Sequence, residues 1–167
     1  MKCTSAAAAL PEADPSGDRR KAFLSSGRII AAIEPTDVAT VLGSCVAACL
    51  WDPEIRAGAA CHFVLPYGAP ESSRALRHAN VAINEMIREL VRLGGDVSRI
   101  QAKLFGGASI VPGLRSEKEP LGARNVLAAD ERLASVGIPV VARDVGGRRA
   151  RKLIFQTDDG SAWVKTI

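Results

Sequence analysis

Between Arg28 and Pro66 the apolar residues come in short pieces: RIIAAIE (28–34), VATVL (38–42), CVAACLW (45–51) and AACHFVLP (59–66). Turn formers separate them, with Asp52-Pro53 closing the third run and Pro66 with YGAP closing the fourth. Runs of about four to eight apolar residues bounded by such punctuation read as strands, because they are too short for an amphipathic helix. A sheet must therefore be the foundation of the fold.

The pattern changes after Ser72. Leu76, Ala79, Ile83, Met86, Ile87, Leu90 and Leu93 recur at helical spacing, with Arg74, Arg77, Glu85, Arg88 and Arg92 on the other side. Ser72 or Ser73 is expected to cap the start of this helix and Gly94 its end. A second helix is expected from about Ala123 to Val136, stopped by Gly137. IQAKLFGG between them reads as a strand running into a glycine turn. IPVVARD, ARKLIFQ and SAWVK supply three more strands, the last two joined by TDDG. Strands, then helices, then strands predict an α+β domain with helices packed on a mostly antiparallel sheet. Residues 1–20, rich in Ala, Pro, Asp and Ser, read as a flexible N-terminal tail, and 21–167 as one domain.

Composition narrows the functional classes. Aromatic residues make up 4% of the chain and do not interleave with its basic clusters, so base stacking on nucleic acid is not expected. The net charge of +4 owes much to Arg148-Arg149 and Arg151-Lys152, a strip able to meet an acidic protein face but read first as a solvated surface. The N-terminal apolar run, Ala6 to Leu10, is too short for a signal-peptide core, and no later stretch is long enough to insert in a membrane. A cytoplasmic location is expected, with Cys3, Cys45, Cys49 and Cys61 as free thiols.

Three kinds of site deserve weighing. Zinc is disfavoured: adjacent Cys61 and His62 on one strand point to opposite faces, and Cys45 and Cys49 would lie about 13 Å apart if extended. The glycine pairs in FGGAS (105–109) and VGGRR (145–149) match neither a Walker loop nor a dinucleotide fingerprint, so turns are expected there, and Lys103 is expected to hold its amine in water. Nucleophilic chemistry fits better. Cys45 follows Gly43-Ser44, where the backbone can turn sharply and bare its amides, and a thiol needs an imidazole to take its proton. His78 falls toward the charged side of the first helix and reads as a surface histidine. His62 lies on the neighbouring strand, and a hairpin centred on DPEIRAG sets it close to opposite Cys45. On the residues alone, catalysis and a plain buried Cys and His both remain open.

TVLGSCVAACLWD followed by GAACHFVLP, with AKLFGGAS, LGARN and DVGGRRAR downstream, resembles the CheD family of chemoreceptor glutamine deamidases over about residues 23–165. That resemblance implies a three-layer α-β-β sandwich similar to the catalytic domain of cytotoxic necrotizing factor toxins. It implies a cysteine hydrolase converting protein glutamine to glutamate, with Cys45 as nucleophile, His62 as base and a thiolate–imidazolium pair near neutral pH. The family's threonine stands six residues before the cysteine in some members, where this chain has Ala39; Thr40, five before, is assigned the role here. Backbone amides at Ser44, Cys45 and Val46 would hold the oxyanion. RHAN (77–80) departs from the family's Arg-Tyr-x-Asp pattern. No cofactor or metal is implied. The implied partners are the cytoplasmic helices of chemoreceptors and a CheC-like phosphatase, and receptor methyl esters are a second implied substrate. Two other readings stay open: a non-catalytic adaptor binding receptor or CheC, and a thiol hydrolase of small amides.

Overall fold

A computed structural model describes residues 19–109 and 119–167. Its strands are β1 (Arg20–Phe23), β2 (Arg28–Ala32), β3 (Thr36–Leu42), β4 (Val46–Asp52), β5 (Ala57–Phe63), β6 (Gln101–Gly106), β7 (Val140–Val145), β8 (Arg151–Gln156) and β9 (Ala162–Thr166). Its helices are α1 (Ala79–Arg92) and α2 (Leu121–Ser135). Two mixed sheets form, ordered β1-β3-β8-β9 and β2-β5-β4-β6-β7. Pairing is antiparallel except for β1 with β3 and β6 with β7. The fold is α+β, with two helices and two mostly antiparallel sheets among the described residues.

Two cores explain the alanine-rich sequence. One face of β4 and β5, carrying Val46, Ala48, Leu50, Ala59, Cys61 and Phe63, packs with Ile83, Met86 and Leu90 of α1 and Ala128, Ala129 and Leu133 of α2. Their other face, carrying Ala47, Cys49 and Ala60, packs on Val38, Leu42, Leu153 and Phe155 of the smaller sheet. Strands buried on both sides read as continuous apolar runs instead of alternating ones, which is why CVAACLW shows no polar side. Small residues let the sheets close: a Cβ on Gly58 would come within 2.8 Å of the Thr157 backbone.

Several expectations need correction. The first helix does not begin at Ser72 or Ser73. His78 is extended (φ −109°, ψ 134°) and bridges Leu65, and Ala79 N–H donates to the Leu65 carbonyl, so a 3₁₀ turn at Ala75–Arg77 stands before α1 as a separate element. β1 lies across the expected tail boundary at residue 20, and Arg19 donates to Asp158 at 2.5 Å. The rest of the expected tail, 1–18 with Cys3, lies outside the described residues. Lys103 is not solvated at its tip; its amine donates to the Gly160 carbonyl at 2.6 Å. Arg151 is no solvated surface residue either. It is 6% exposed and pairs with Asp144 at 2.7 Å while donating to the carbonyls of Asp144 and Gly146. A buried guanidinium needs such partners, and Asp144 at the end of β7 and Gly146 in the turn after it supply them. No described helix is long and apolar enough to cross a membrane.

Candidate active site

Gly43-Ser44-Cys45 is the corner where the chain leaves β3 of the smaller sheet and enters β4 of the larger one. The carbonyls of Gly43 and Cys45 accept from Ala108 N–H and Gly107 N–H, each at 2.8 Å. Gly106 makes that approach possible: its φ is +106°, and a Cβ there would lie 2.2 Å from the Cys45 carbonyl oxygen. The second glycine pair braces the first, since Gly146 N–H donates to the Gly106 carbonyl and Ser109 N–H to that of Gly147, each at 2.8 Å. Both glycine pairs therefore shape the cysteine corner from behind.

α2 closes the corner from the other side. A Cβ on Gly122 would come within 2.3 Å of the Gly107 carbonyl oxygen, so the helix begins in backbone contact with the glycine turn. One turn on, fully buried Asn125 donates its side-chain amide to the carbonyls of Ser44 (3.1 Å) and Val64 (3.0 Å). Gly122→Val is expected to cost about 1–3 kcal/mol by overpacking, read as a lowered Tm, because backbone rather than a flexible side chain would have to move.

Across the sheet, β5 pairs antiparallel with β4 so that Ala47, not Cys45, lies opposite His62. The expected register is off by two residues. A two-residue shift preserves the face, so Cys45, Ala47 and His62 still point to the same side, between the sheets. Cys45 is then the diagonal neighbour of His62, their Cα atoms about 7–8 Å apart by sheet geometry, and no hydrogen bond joins the thiol to Nε2 in the structure. Thr40 approaches from β3. Val38, Thr40 and Leu42 are buried on its inner face, whereas Ala39 lies on the outer face and is only partly covered. Strand parity thus directs Thr40 and not Ala39 toward the imidazole.

The hydrogen bonds settle the state of that imidazole. Thr40 Oγ1 lies 2.7 Å from the Leu24 carbonyl oxygen and 3.0 Å from His62 Nδ1. Its single proton goes to the carbonyl, which can only accept, so toward Nδ1 the hydroxyl must itself accept. The Leu24 carbonyl, 3.4 Å from Nδ1, asks the same of the ring. Nδ1 therefore carries the proton, and the basic lone pair is on Nε2, which is buried without a hydrogen-bond partner.

Burial acts on both members of the candidate pair, Cys45 and His62. It pushes the Cys45 thiol above its ordinary value of 9.0, against partial lowering by the residue's own backbone N–H and the charge of Arg77. It pulls His62 below 6.5, against partial raising by the Leu24 carbonyl. Both shifts oppose the expected thiolate–imidazolium pair and favour a neutral thiol beside a neutral imidazole. The other thiols are sealed in the cores, with burial raising Cys49 above the range of ordinary thiols and Cys61 to about 12. Cys61 faces the helices and Cys45 the second sheet, and no described cluster of His, Cys, Asp or Glu is arranged to hold a metal ion.

Placement of the remaining candidates follows from the same geometry. Val46 is paired on both sides, with Phe63 and Gly106. Because the Cys45 carbonyl turns to Gly107, the Val46 amide on that peptide points the other way, along the sheet toward β5. His78 does not lie on the charged face of α1. It precedes the helix, half-buried, with its ring filling the space where a Cβ on Gly68 would come within 2.3 Å. Two contributors escaped the reading of the sequence. A carbonyl such as that of Leu24 leaves no residue signal, and Asn125 sits in the LGARN segment with nothing local to give it a task.

A family model described as CheD chemotactic sensory transduction matches residues 64–166. The chain is 44% identical to a probable chemoreceptor glutamine deamidase CheD 1 of Anaeromyxobacter dehalogenans, over 97% of this chain and 94% of that one. It is 38% identical to a probable chemoreceptor glutamine deamidase CheD of Maridesulfovibrio salexigens, over 90% and 94% of the two chains. The chemoreceptor glutamine deamidase CheD of Thermotoga maritima is 36% identical, over 75% of this chain and 78% of that protein. The family model begins just beyond His62, but the Anaeromyxobacter alignment runs over nearly the full length of both proteins. With a corner cysteine, a tautomer-fixed histidine on the adjoining strand, and relatives matched almost end to end, this chain belongs to the CheD family.

Proposed function

We infer that this chain is a chemoreceptor glutamine deamidase, an amide hydrolase that converts receptor glutamine side chains to glutamate and so modulates chemotaxis receptors. The observation that carries the mechanism is the buried His62 Nε2, free of any hydrogen-bond partner and turned to the Cys45 face of the sheet. In the proposed cycle Cys45 Sγ attacks the side-chain carbonyl carbon of glutamine while its proton passes to Nε2. The tetrahedral oxyanion collapses, the C–N bond breaks, and the imidazolium gives its proton to the departing nitrogen, which leaves as ammonia. Water then attacks the thioester with His62 as base. The C–S bond breaks, glutamate leaves and the thiol is restored. Thr40 holds the ring in the required tautomer and orientation.

The same acyl chemistry serves a glutamyl methyl ester, with methanol leaving in place of ammonia. A CheC-like phosphatase belongs to the proposed partners, as do the cytoplasmic helices of the receptor. The order of helices, larger sheet and smaller sheet supports kinship with the catalytic domain of cytotoxic necrotizing factor toxins.

Mass spectrometry of a receptor cytoplasmic domain incubated with the protein tests the function. Glutamine-to-glutamate conversion at discrete positions is expected, and peptides unchanged from the enzyme-free control would overturn the reading. The neutral resting pair also sets a pH profile. Activity needs one proton shared by the two groups, which is lost from neither between the lowered imidazole and the raised thiol. The plateau of kcat/KM should therefore extend from below pH 6.5 to above pH 9.0. A fall that begins well below pH 9 would indicate a thiolate–imidazolium pair instead. Thr40→Val keeps the shape but loses the hydroxyl. We expect kcat to drop roughly tenfold to a hundredfold as the ring samples the wrong tautomer, with KM unchanged; an unaltered kcat would remove Thr40 from the set.

A further inference from the structure

We propose that Asn125 is a positioning residue that aims the backbone N–H of Cys45 at the developing oxyanion, by pinning the Ser44 carbonyl to the helix side of the sheet. In a trans peptide the C=O and the N–H that follows it point in opposite directions. Asn125 comes from α2, which covers the face of β4 opposite to Cys45 and His62. Its amide bond to the Ser44 carbonyl draws that oxygen toward the helix and so turns the Cys45 N–H to the thiol side. The amides of Ser44 and Val46 belong to peptides whose carbonyls turn to Ala108 and Gly107, along the sheet and not across it.

The hydrogen-bond inventory of Asn125 is unusual in a telling way. Both amide protons are used, one on the residue before the nucleophile and one on Val64, two residues after His62. The pairing fixes the amide orientation, since a flipped side chain would set an oxygen against two carbonyls. Its own Oδ1 is buried without a partner. A side chain chosen only to fill the core would not carry an unpaired carbonyl, because leaving one buried is unfavourable. Asn125 thus ties the nucleophile corner to the strand bearing the base, from the side away from substrate.

The inference rests on Cys45 acting as a nucleophile, but its test needs no receptor. In a Cys3→Ser background, Cys45 is treated separately with p-nitrophenyl acetate and with iodoacetamide. Acetylation passes through a tetrahedral oxyanion before p-nitrophenolate leaves; alkylation displaces iodide and makes no oxyanion. In Asn125→Leu, and in the isosteric Asn125→Asp, which turns an oxygen toward the Ser44 carbonyl, acetylation should slow by about tenfold to a hundredfold, with alkylation within about twofold of the parent. Unchanged acetylation would overturn the proposal. So would equal losses in both reactions, which would make Asn125 a support of the fold alone. Failure of receptor deamidation in the parent protein would be seen separately and would leave this comparison intact.

Discussion

Cys45→Ala should bring receptor glutamine conversion down to background, a loss on the order of 10⁶-fold in kcat by analogy with removal of a protease nucleophile. No other described thiol can substitute, because Cys49 and Cys61 are sealed in the cores. The fold should tolerate the change, since Cys45 is only partly buried and the corner is held through carbonyls and not through sulfur. Receptor binding should therefore survive. Quantitative mass spectrometry of the receptor, paired with a binding measurement, separates the enzyme from a non-catalytic adaptor: conversion that persists in the variant would favour the adaptor or a contaminating activity.

His62→Ala should lose about 10²- to 10⁴-fold in kcat, the range expected for removing a general acid–base. Thiol reactivity gives a second readout. In the parent the neutral thiol can pass its proton to the imidazole as it attacks; with the imidazole gone, alkylation should slow near pH 7 and recover only above pH 9.0, where the raised thiol ionises by itself. Equal alkylation rates in parent and variant at pH 7 would show that His62 does not act on the thiol. The double change, Cys45→Ala with His62→Ala, should be scarcely worse than Cys45→Ala alone if the two groups act as the proposed unit.

Much of this site was legible because strand parity forgives small errors. Placing Cys45 opposite His62 was wrong by two positions, yet two is the period of a strand, and both side chains stayed on one face. Parity also separates Thr40 from Ala39, where the family pattern had favoured the other position. Charged residues were the least legible. Lys103 and Arg151 look like solvated tips in sequence, but Lys103 reaches across to a turn of the other sheet 57 residues away and Arg151 folds back on the glycine turn five residues before it. RKAF gives no strand signal because an exposed edge strand with two basic residues has no apolar run to announce it. Helical spacing continues back through Leu76 and so predicts too early a start for α1, because only the bridge between His78 and Leu65 interrupts it.

The place of β3 has a consequence for how the protein comes into being. Thr40 is registered against Leu153 of β8, so its partner in the sheet is made more than a hundred residues later. On the ribosome, Cys45, His62 and Thr40 all emerge early, but the strand beside Thr40 arrives almost last. Such a distant pairing forms slowly. A nascent or prematurely terminated chain should therefore expose its thiol without the aligned imidazole, and cells would gain deamidase activity only once translation is finished.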